Sequence, residues 1–330
     1  MIEDMLARAT VARASNREAP GVGAPGSAVA LARAITAIEL GEELAADGVT
    51  SNVTPLHESP RAPVLGITGT GGAGKSSLTD ELVRRLRLDH QDKLKVAVLA
   101  VDPSRRKTGG ALLGDRIRMN AINHPNIYVR SLATRSAGTE VPASLPHIIE
   151  LTRTSGFDLV IVETSGIGQG DAAIAPLADA SLYVMTPEFG AASQLEKIDM
   201  LDFADVVAIN KFDRKGADDA LRDVAKQVQR NREAFTASRD DMPVYGTVAS
   251  RFNDDGVTAL YHGLVDVLGE RGLIDLTGGE LSRSGVRKSS KAGSIVPPQR
   301  TRYLAEIAES VRGYHAHVET QARVAHEIQS

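Results

Sequence analysis

Short apolar runs alternate with longer amphipathic stretches through the middle of this 330-residue chain. The runs consist mostly of Val, Ile, Leu and Ala, a composition typical of strands that are buried on both faces of a parallel sheet. Strands that alternate with helices indicate an α/β fold in which a mostly parallel sheet is flanked by helices. The predicted strands cover residues 64–68, 95–101, 127–131, 159–164, 180–186, 206–210 and 244–247.

Helical patterns lie at both ends of this region. Apolar positions recur at helical spacing over residues 28–46, and a second helical pattern covers residues 302–329. Before that last pattern, residues 277–298 are rich in Gly, Ser and basic side chains, as linkers are. We therefore expect three parts: an N-terminal arm and helix at 1–60, an α/β domain at 61–272, and a C-terminal linker and helical arm at 273–330.

Composition and charge exclude several classes of function. The chain has 38 Lys and Arg against 42 Asp and Glu, a net charge of −4, so it lacks the basic excess that binding to nucleic acid requires. The absence of cysteine excludes disulfides and thiolate-ligated metals and agrees with a reducing cytoplasm. The sequence contains neither an apolar run that could cross a bilayer nor an N-terminal signal peptide pattern. We expect a cytoplasmic protein without nucleic-acid or membrane partners.

A phosphate-binding motif follows the first predicted strand. Residues 69–76 read G-T-G-G-A-G-K-S, which matches G-x-x-x-x-G-K-[ST], and an amphipathic pattern follows them. In such a loop, backbone N–H groups point at phosphate oxygens, Lys75 reaches the β- and γ-phosphates, and the Ser76 hydroxyl binds Mg²⁺. The sequence therefore predicts a P-loop NTPase. The candidate nucleotide-contacting residues here are Gly69, Gly71, Gly72, Ala73, Gly74, Lys75, Ser76 and Ser77.

A second motif indicates which base is bound. Residues 210–213 read N-K-F-D and follow a predicted strand, at the carboxyl edge where open α/β sheets bind ligands. The Asp213 carboxylate can accept hydrogen bonds from the N1–H and 2-amino groups of guanine, a pair of donors that adenine lacks. Asn210 and Lys211 can brace the loop and the ring, and Ala249, after the last strand, can offer its N–H to guanine O6. A surface charge cluster is the alternative interpretation of 210–213.

Carboxylates follow two other predicted strands. Glu163 ends the strand at 159–164, at the position that most small GTPases fill with Asp, and the N–H of Gly166 can sense a γ-phosphate. Asp102 ends the strand at 95–101, and Asp115 lies in the Gly-rich segment after it. We expect the metal ligands to be Ser76, Asp102, Asp115 and Glu163, and the catalytic residues to be Lys75, Asp102, Asp115 and Glu163. Gln169 and Arg105 are conceivable water-positioning residues, although a plain surface role fits each of them better.

Several segments together resemble the MeaB-like GTPases, the G-protein chaperones of adenosylcobalamin-dependent acyl-CoA mutases. The resemblance extends over residues 28–268. More narrowly, the chain is similar to the G domain of fused isobutyryl-CoA mutases, in which a cobalamin domain, a GTPase and a mutase body share one polypeptide; segment 214–241 and the helical run after Pro297 fit that form. The segments that carry the resemblance are residues 30–36, the phosphate loop, 101–104 with 108–110, 113–119, and 162–164 with 166–169.

The resemblance implies a Mg²⁺-dependent GTPase that binds GTP and GDP and gates adenosylcobalamin loading or repair. The implied partners are the mutase and its cobalamin-binding domain, in cis or in trans, with a homodimer left open. Ser76, Asp102, Asp115 and Glu163 match the family's magnesium and switch positions. Segment 187–197, which includes Gln194 and Lys197, matches an extra switch loop that communicates with the mutase.

The chain also departs from the family pattern. Phe212 stands where the family usually has Ala, and the phosphate loop reads T-G-G-A where Pro and Val are frequent. No histidine lies in the D-x-H-x-x-G motif that binds cobalamin, so the implied cobalamin would be held by another domain or chain.

Three other functions stay open at this point. One is a docking module that binds GTP or GDP with negligible turnover. A second is a metal-insertion GTPase for nickel, against which the lack of cysteine and the eight scattered histidines count. A third is a small-molecule P-loop kinase, against which the N-K-F-D sequence counts.

Overall fold

The structure is a computed structural model that describes residues 28–41, 61–103, 119–134, 141–166, 171–190, 195, 198–276, 278–290 and 303–329. The chain divides into two compact units, Met1–Ser289 and Ser290–Ser330. The finer division predicted at residues 60 and 272 stays a prediction.

The described part of the first unit is built on a sheet of seven parallel strands: β1 Val64–Gly69, β2 Val96–Pro103, β3 Ile127–Thr134, β4 Leu159–Glu163, β5 Ala180–Met185, β6 Val206–Asn210 and β7 Val244–Thr247. Their order across the sheet is β3-β2-β4-β1-β5-β6-β7. Each predicted strand is present, and the predicted α/β fold is confirmed. The largest differences are at β2 and β3, which continue to Pro103 and Thr134 because the two strands stay paired to their ends.

Helices connect these strands. The first one ends at Leu40 rather than at the predicted residue 46, because Gly41 follows in a left-handed conformation with φ +68°, which commonly terminates helices. The α-helices are α1 Ala28–Leu40, α2 Lys75–Asp89, α3 Leu145–Arg153, α4 Met200–Phe203, α5 Ala217–Asn231, α6 Asp255–Glu270 and α7 Tyr303–Gln329; short 3₁₀ turns cover Asp171–Leu177, Pro187–Phe189 and Arg239–Asp241.

The helices form one layer on each face of the sheet. Leucines of α2 and α6 pack against one face of the central strands. On the other face, α1 and α3 pack against β1, β2 and β4, while α4 and α5 pack against β5, β6 and β7. Alternate residues of each strand pack against the helices on opposite faces of the sheet, so nearly every residue of a strand is apolar. The second unit contains α7, whose predicted extent is confirmed.

A segment predicted as linker covers the edge of β7. The N–H of Gly246 donates to the Arg287 carbonyl oxygen (3.0 Å), and the N–H of Ser289 donates to the Gly246 carbonyl oxygen (2.7 Å). Lys288 thus forms a parallel bridge with Gly246. The Arg287 guanidinium also donates to the Met242 carbonyl oxygen (2.7 Å). The segment is therefore an integral part of the first unit.

Candidate nucleotide-binding site

The phosphate loop joins the end of β1 to the start of α2. Gly69 has φ +143°, and a Cβ atom there would lie 1.8 Å from the carbonyl oxygen of Val184 on β5, so this approach requires glycine. The helix begins after Gly74 without a side-chain cap, which leaves the N–H groups of its first turn available to an anion. The buried Lys75 ammonium group donates to the carbonyl oxygens of Gly69 (2.9 Å) and Thr70 (3.1 Å). Backbone donors and a held cation thus share one loop.

The chain after β4 approaches this loop closely. Gly166 has φ +66°, and a Cβ atom there would lie 2.1 Å from both the Gly69 carbonyl oxygen and the Lys75 ammonium nitrogen. Only glycine fits such a position. The next residues, 167–170, include the candidate Gln169 and lie outside the described residues.

Glu163 is held by two hydroxyl groups of α2. Its side chain is buried at the end of β4, where the Ser76 hydroxyl donates to Oε1 (2.6 Å) and the Thr79 hydroxyl donates to Oε2 (2.9 Å). Residues three apart on a helix share a face, so both hydroxyls reach the same carboxylate. Ser76 and Glu163 were predicted from the sequence and Thr79 was not; the spacing of Thr79 from Ser76 is the only signal that the sequence offers.

Asp102 and Glu163, the two predicted metal-binding carboxylates that lie among the described residues, line one cleft. A cavity of about 370 Å³ is lined by Lys75, Ser76, Asp102 and Glu163 among others. Asp80, also on its wall, was not predicted; its carboxylate accepts the N–H groups of Asn120 (3.0 Å) and Ala121 (2.8 Å). Asp80 therefore holds the backbone of residues 120 and 121 beside α2. Asp115 and Arg105 lie outside the described residues.

Asn210 connects the phosphate loop to the loop after β7. Its buried side chain donates to the Ala73 carbonyl oxygen (2.7 Å) and accepts the Ala249 N–H (3.0 Å). Lys211, at φ +58°, donates to the Gly72 carbonyl oxygen (2.6 Å). The Ala249 N–H, predicted to face guanine O6, thus bonds to Asn210 in this structure. The two motifs form a single hydrogen-bonded unit.

Phe212 and Asp213 point in different directions. The Phe212 ring is buried, and a Cβ atom on Gly246 of β7 would lie 2.5 Å from it. Glycine on β7 therefore makes room for an aromatic ring. Asp213 remains exposed beside it, with its carboxylate accessible to a ligand.

The loop after β5 contacts the loop after β6. Arg214 donates to the Glu188 carboxylate, and hydrogen bonds from Thr186 and Arg214 lower the pKa of Glu188 to about 2. Both partners are half exposed, so the pair contributes little to stability. It does place the start of segment 187–197 against the N-K-F-D loop. Gln194 and Lys197 lie outside the described residues.

Comparison with known families identifies this arrangement. Residues 31–292 match the family described as methylmalonyl-CoA mutase-associated GTPase MeaB. The chain belongs to the MeaB family of GTPases. Membership confirms the predicted family and implies guanine nucleotide binding.

Named relatives of this MeaB-family GTPase fall into two groups. A fused isobutyryl-CoA mutase of Cupriavidus metallidurans is 66% identical over 91% of this chain and 27% of its own length. Another, of Nocardia farcinica, is 56% identical over 100% of this chain and 30% of its own length. A putative GTPase of Pyrococcus horikoshii is 35% identical over 67% of this chain and 68% of its own. The chain therefore spans less than a third of the two fused relatives.

None of the described helices is long and apolar enough to cross a membrane. No group of three or more His, Cys, Asp or Glu side chains in the described part of the chain could hold a metal ion. A magnesium site in a P-loop protein does not require such a group, because Mg²⁺ keeps waters and phosphate oxygens as ligands.

Proposed function

We propose that this chain is a Mg²⁺-dependent domain that binds and hydrolyses GTP and gates adenosylcobalamin loading or repair in an acyl-CoA mutase. The observation that carries the proposal is the Asn210 side chain, which bonds the phosphate loop to the loop after β7. This contact joins phosphate recognition to base recognition at one edge of the sheet.

The residues fit a nucleoside phosphate. Glycine at positions 69 and 166 lets the phosphate loop, β5 and the chain after β4 approach one another more closely than a side chain would allow, and the uncapped start of α2 provides N–H donors at this place. Lys75 already stands over the loop, so its charge needs little rearrangement to meet a phosphate. The exposed Asp213 can accept the two guanine donors.

The residues also fit Mg²⁺. A hydroxyl and a carboxylate are hard oxygen donors, and Ser76 and Glu163 hold them 2.6 Å apart in the cleft that Asp102 lines. When bound, Mg²⁺ would neutralise charge on the β- and γ-phosphates. The residues of this chain prepare the site in three ways. The Thr79 hydroxyl holds the Glu163 carboxylate, the loop carbonyl oxygens hold the Lys75 ammonium group, and Gly166 lets the chain after β4 pack against the phosphate loop. The roles of Asp102 and Asp115 as carboxylates near the metal are part of the proposal.

The mutase partner is proposed from the relatives. Two of them are named fused isobutyryl-CoA mutase and contain this domain within a longer chain. We propose the same kind of mutase, with its cobalamin-binding domain, as partner here, in cis or in trans. Adenosylcobalamin would then be bound by the partner, and the nucleotide state of this domain would control its delivery.

The test is GTP hydrolysis by this chain, alone and with the cobalamin-binding and mutase portions of the Cupriavidus relative. We expect slow hydrolysis alone and stimulation by those portions. A rate of GTP hydrolysis that does not change when those portions are added would contradict the proposed partner. Tight GDP binding without turnover in either setting would leave the docking module as the function.

Asp213→Asn should change base selectivity. Loss of the carboxylate removes two hydrogen bonds to a charged acceptor, so GDP affinity should fall about 10- to 100-fold, roughly 1.5–3 kcal/mol. Xanthosine diphosphate should bind the variant better than the wild type, because its C2 carbonyl can accept from the Asn amide. Fluorescent-nucleotide competition measures both. Asp202→Asn, at another exposed position, is the control. Equal GDP affinity in the two variants would show that Asp213 does not contact the base.

Thr79→Val should weaken the response to magnesium. Valine keeps the shape of the fully buried threonine but removes the hydroxyl that holds Glu163 Oε2. The Mg²⁺ concentration that half-maximally tightens GDP binding should rise about tenfold or more, and Thr79→Ser should restore it.

The matched control for Thr79→Val is Thr152→Val. Thr152 is equally buried, and its hydroxyl donates to the Ile148 carbonyl oxygen within α3. An unchanged magnesium response in Thr79→Val would mean that its hydroxyl does not position Glu163.

A further inference from the structure

The loop after β7 is supported from beneath by one buried carboxylate. Asp254 caps α6, and its Oδ1 accepts the N–H groups of Val257 (2.9 Å) and Val248 (3.2 Å). Val248 immediately precedes Ala249, whose N–H bonds to Asn210. Asp254 therefore fixes the backbone that meets the proposed guanine site.

The other oxygen of this carboxylate belongs to a contact with the end of the compact unit. The Ser289 hydroxyl donates to Asp254 Oδ2 and accepts a hydrogen bond from the Arg251 guanidinium (3.0 Å). Arg251 lies in the loop after β7, so Ser289 contacts this loop both directly and through Asp254. Ser289 is also the last residue of the first compact unit.

Close packing gives this contact little freedom. A Cβ atom on Gly256 would lie 2.1 Å from the Gly246 carbonyl oxygen and 2.5 Å from the Ser289 nitrogen. The start of α6, the β7 edge and segment 287–289 therefore touch at one point. Burial raises the pKa of Asp254, and the hydrogen bonds from Ser289, Val248 and Val257 oppose that rise.

We propose that Ser289 is a positioning residue for guanine recognition, which links docking of segment 287–289 on β7 to binding of the base. The inference rests on the proposed function, because it takes the base to lie against the loop after β7. Removal of the Ser289 hydroxyl leaves a buried carboxylate one donor short and takes one hydrogen bond from Arg251, whose guanidinium still lies 3.8 Å from Asp254 Oδ2. Linkage is reciprocal, so a bound base also holds segment 287–289 in place. Displacement of the chain at Ser289 would then weaken nucleotide binding.

Ser289→Ala tests the first half of this linkage. We expect its Kd for GDP to rise about 3- to 10-fold, while the Kd for inorganic pyrophosphate, which has no base, stays unchanged. The control is Ser284→Ala, three residues before the docked segment, where the hydroxyl bonds only weakly to Val286. A merely structural role would lower both affinities or neither.

Hydrogen exchange of the wild-type chain tests the second half. The Ser289 and Gly246 N–H groups form the hydrogen bonds that dock the segment, so their exchange reports docking directly. GDP should slow this exchange several-fold, and pyrophosphate should not. This measurement requires no variant and decides the question even where Ser289→Ala is unstable.

The outcomes separate the two proposals. Normal GDP affinity in Ser289→Ala, or exchange at Ser289 that GDP does not slow, overturns the linkage and leaves the GTPase proposal standing. A wild-type chain that does not bind GDP overturns both.

Discussion

Replacement of Lys75 with alanine should abolish nucleotide hydrolysis and most nucleotide binding. The ammonium group is the cation that the structure holds over the phosphate loop, at 2.9 Å and 3.1 Å from two loop carbonyl oxygens. Its loss removes a charge-assisted contact to the phosphates and the charge that balances them during transfer. We expect GTP hydrolysis to fall by about 10²-fold or more.

A binding measurement separates this effect from misfolding. In the wild type, GDP should raise the unfolding temperature, because a ligand that binds only the folded state stabilises it. Lys75→Ala should fold but show no such rise. Lys226→Ala, at an exposed position on α5, should behave as the wild type. A GDP-dependent rise of normal size in Lys75→Ala would place the phosphates elsewhere.

Gly69→Ala should destabilise the fold itself. The new Cβ atom would meet the Val184 carbonyl oxygen at 1.8 Å, and this oxygen also accepts the Thr70 N–H that anchors the phosphate loop. Backbone strain at φ +143° adds to the clash, so β1 and β5 must separate at their carboxyl ends. We expect a loss of about 3 kcal/mol or more in the free energy of unfolding.

Gly156→Ala isolates the strain from the clash. Gly156 also has a positive φ, +81°, but a Cβ atom there has nothing within 4 Å. Its replacement should cost only about 1 kcal/mol. Denaturant unfolding without nucleotide measures both variants, and equal losses would show that the contact with Val184 relaxes freely.

The strands and the motif positions were predictable because they depend on local sequence. Nearly continuous apolar runs specify buried strands, and the N-K-F-D sequence follows directly from β6, so its place at the carboxyl edge followed from the parallel sheet. The end of α1 was not predicted, since the apolar spacing continues past Gly41 and only the backbone conformation stops the helix.

Contacts between distant parts of the chain were beyond sequence reasoning. Thr79 is one hydroxyl among many on α2 until β4 places Glu163 beside it. Segment 287–289 docks through two backbone hydrogen bonds and several polar side-chain contacts, which leave no apolar periodicity in a Gly- and Ser-rich stretch. Phe212 departs from the alanine that is usual in the family, and there is room for its ring only because Gly246, on another strand, has no side chain.

Segment 287–289 also protects the β7 edge of the sheet from pairing with other chains. β7 lies at the end of the strand order, and an open edge strand offers N–H and C=O groups that pair readily with strands of other chains. Arg287 and Ser289 occupy these groups at Gly246. A chain cut before residue 287 would uncover them and become prone to edge-to-edge aggregation, so a shortened version chosen at the end of α6 would lose its protection against self-association.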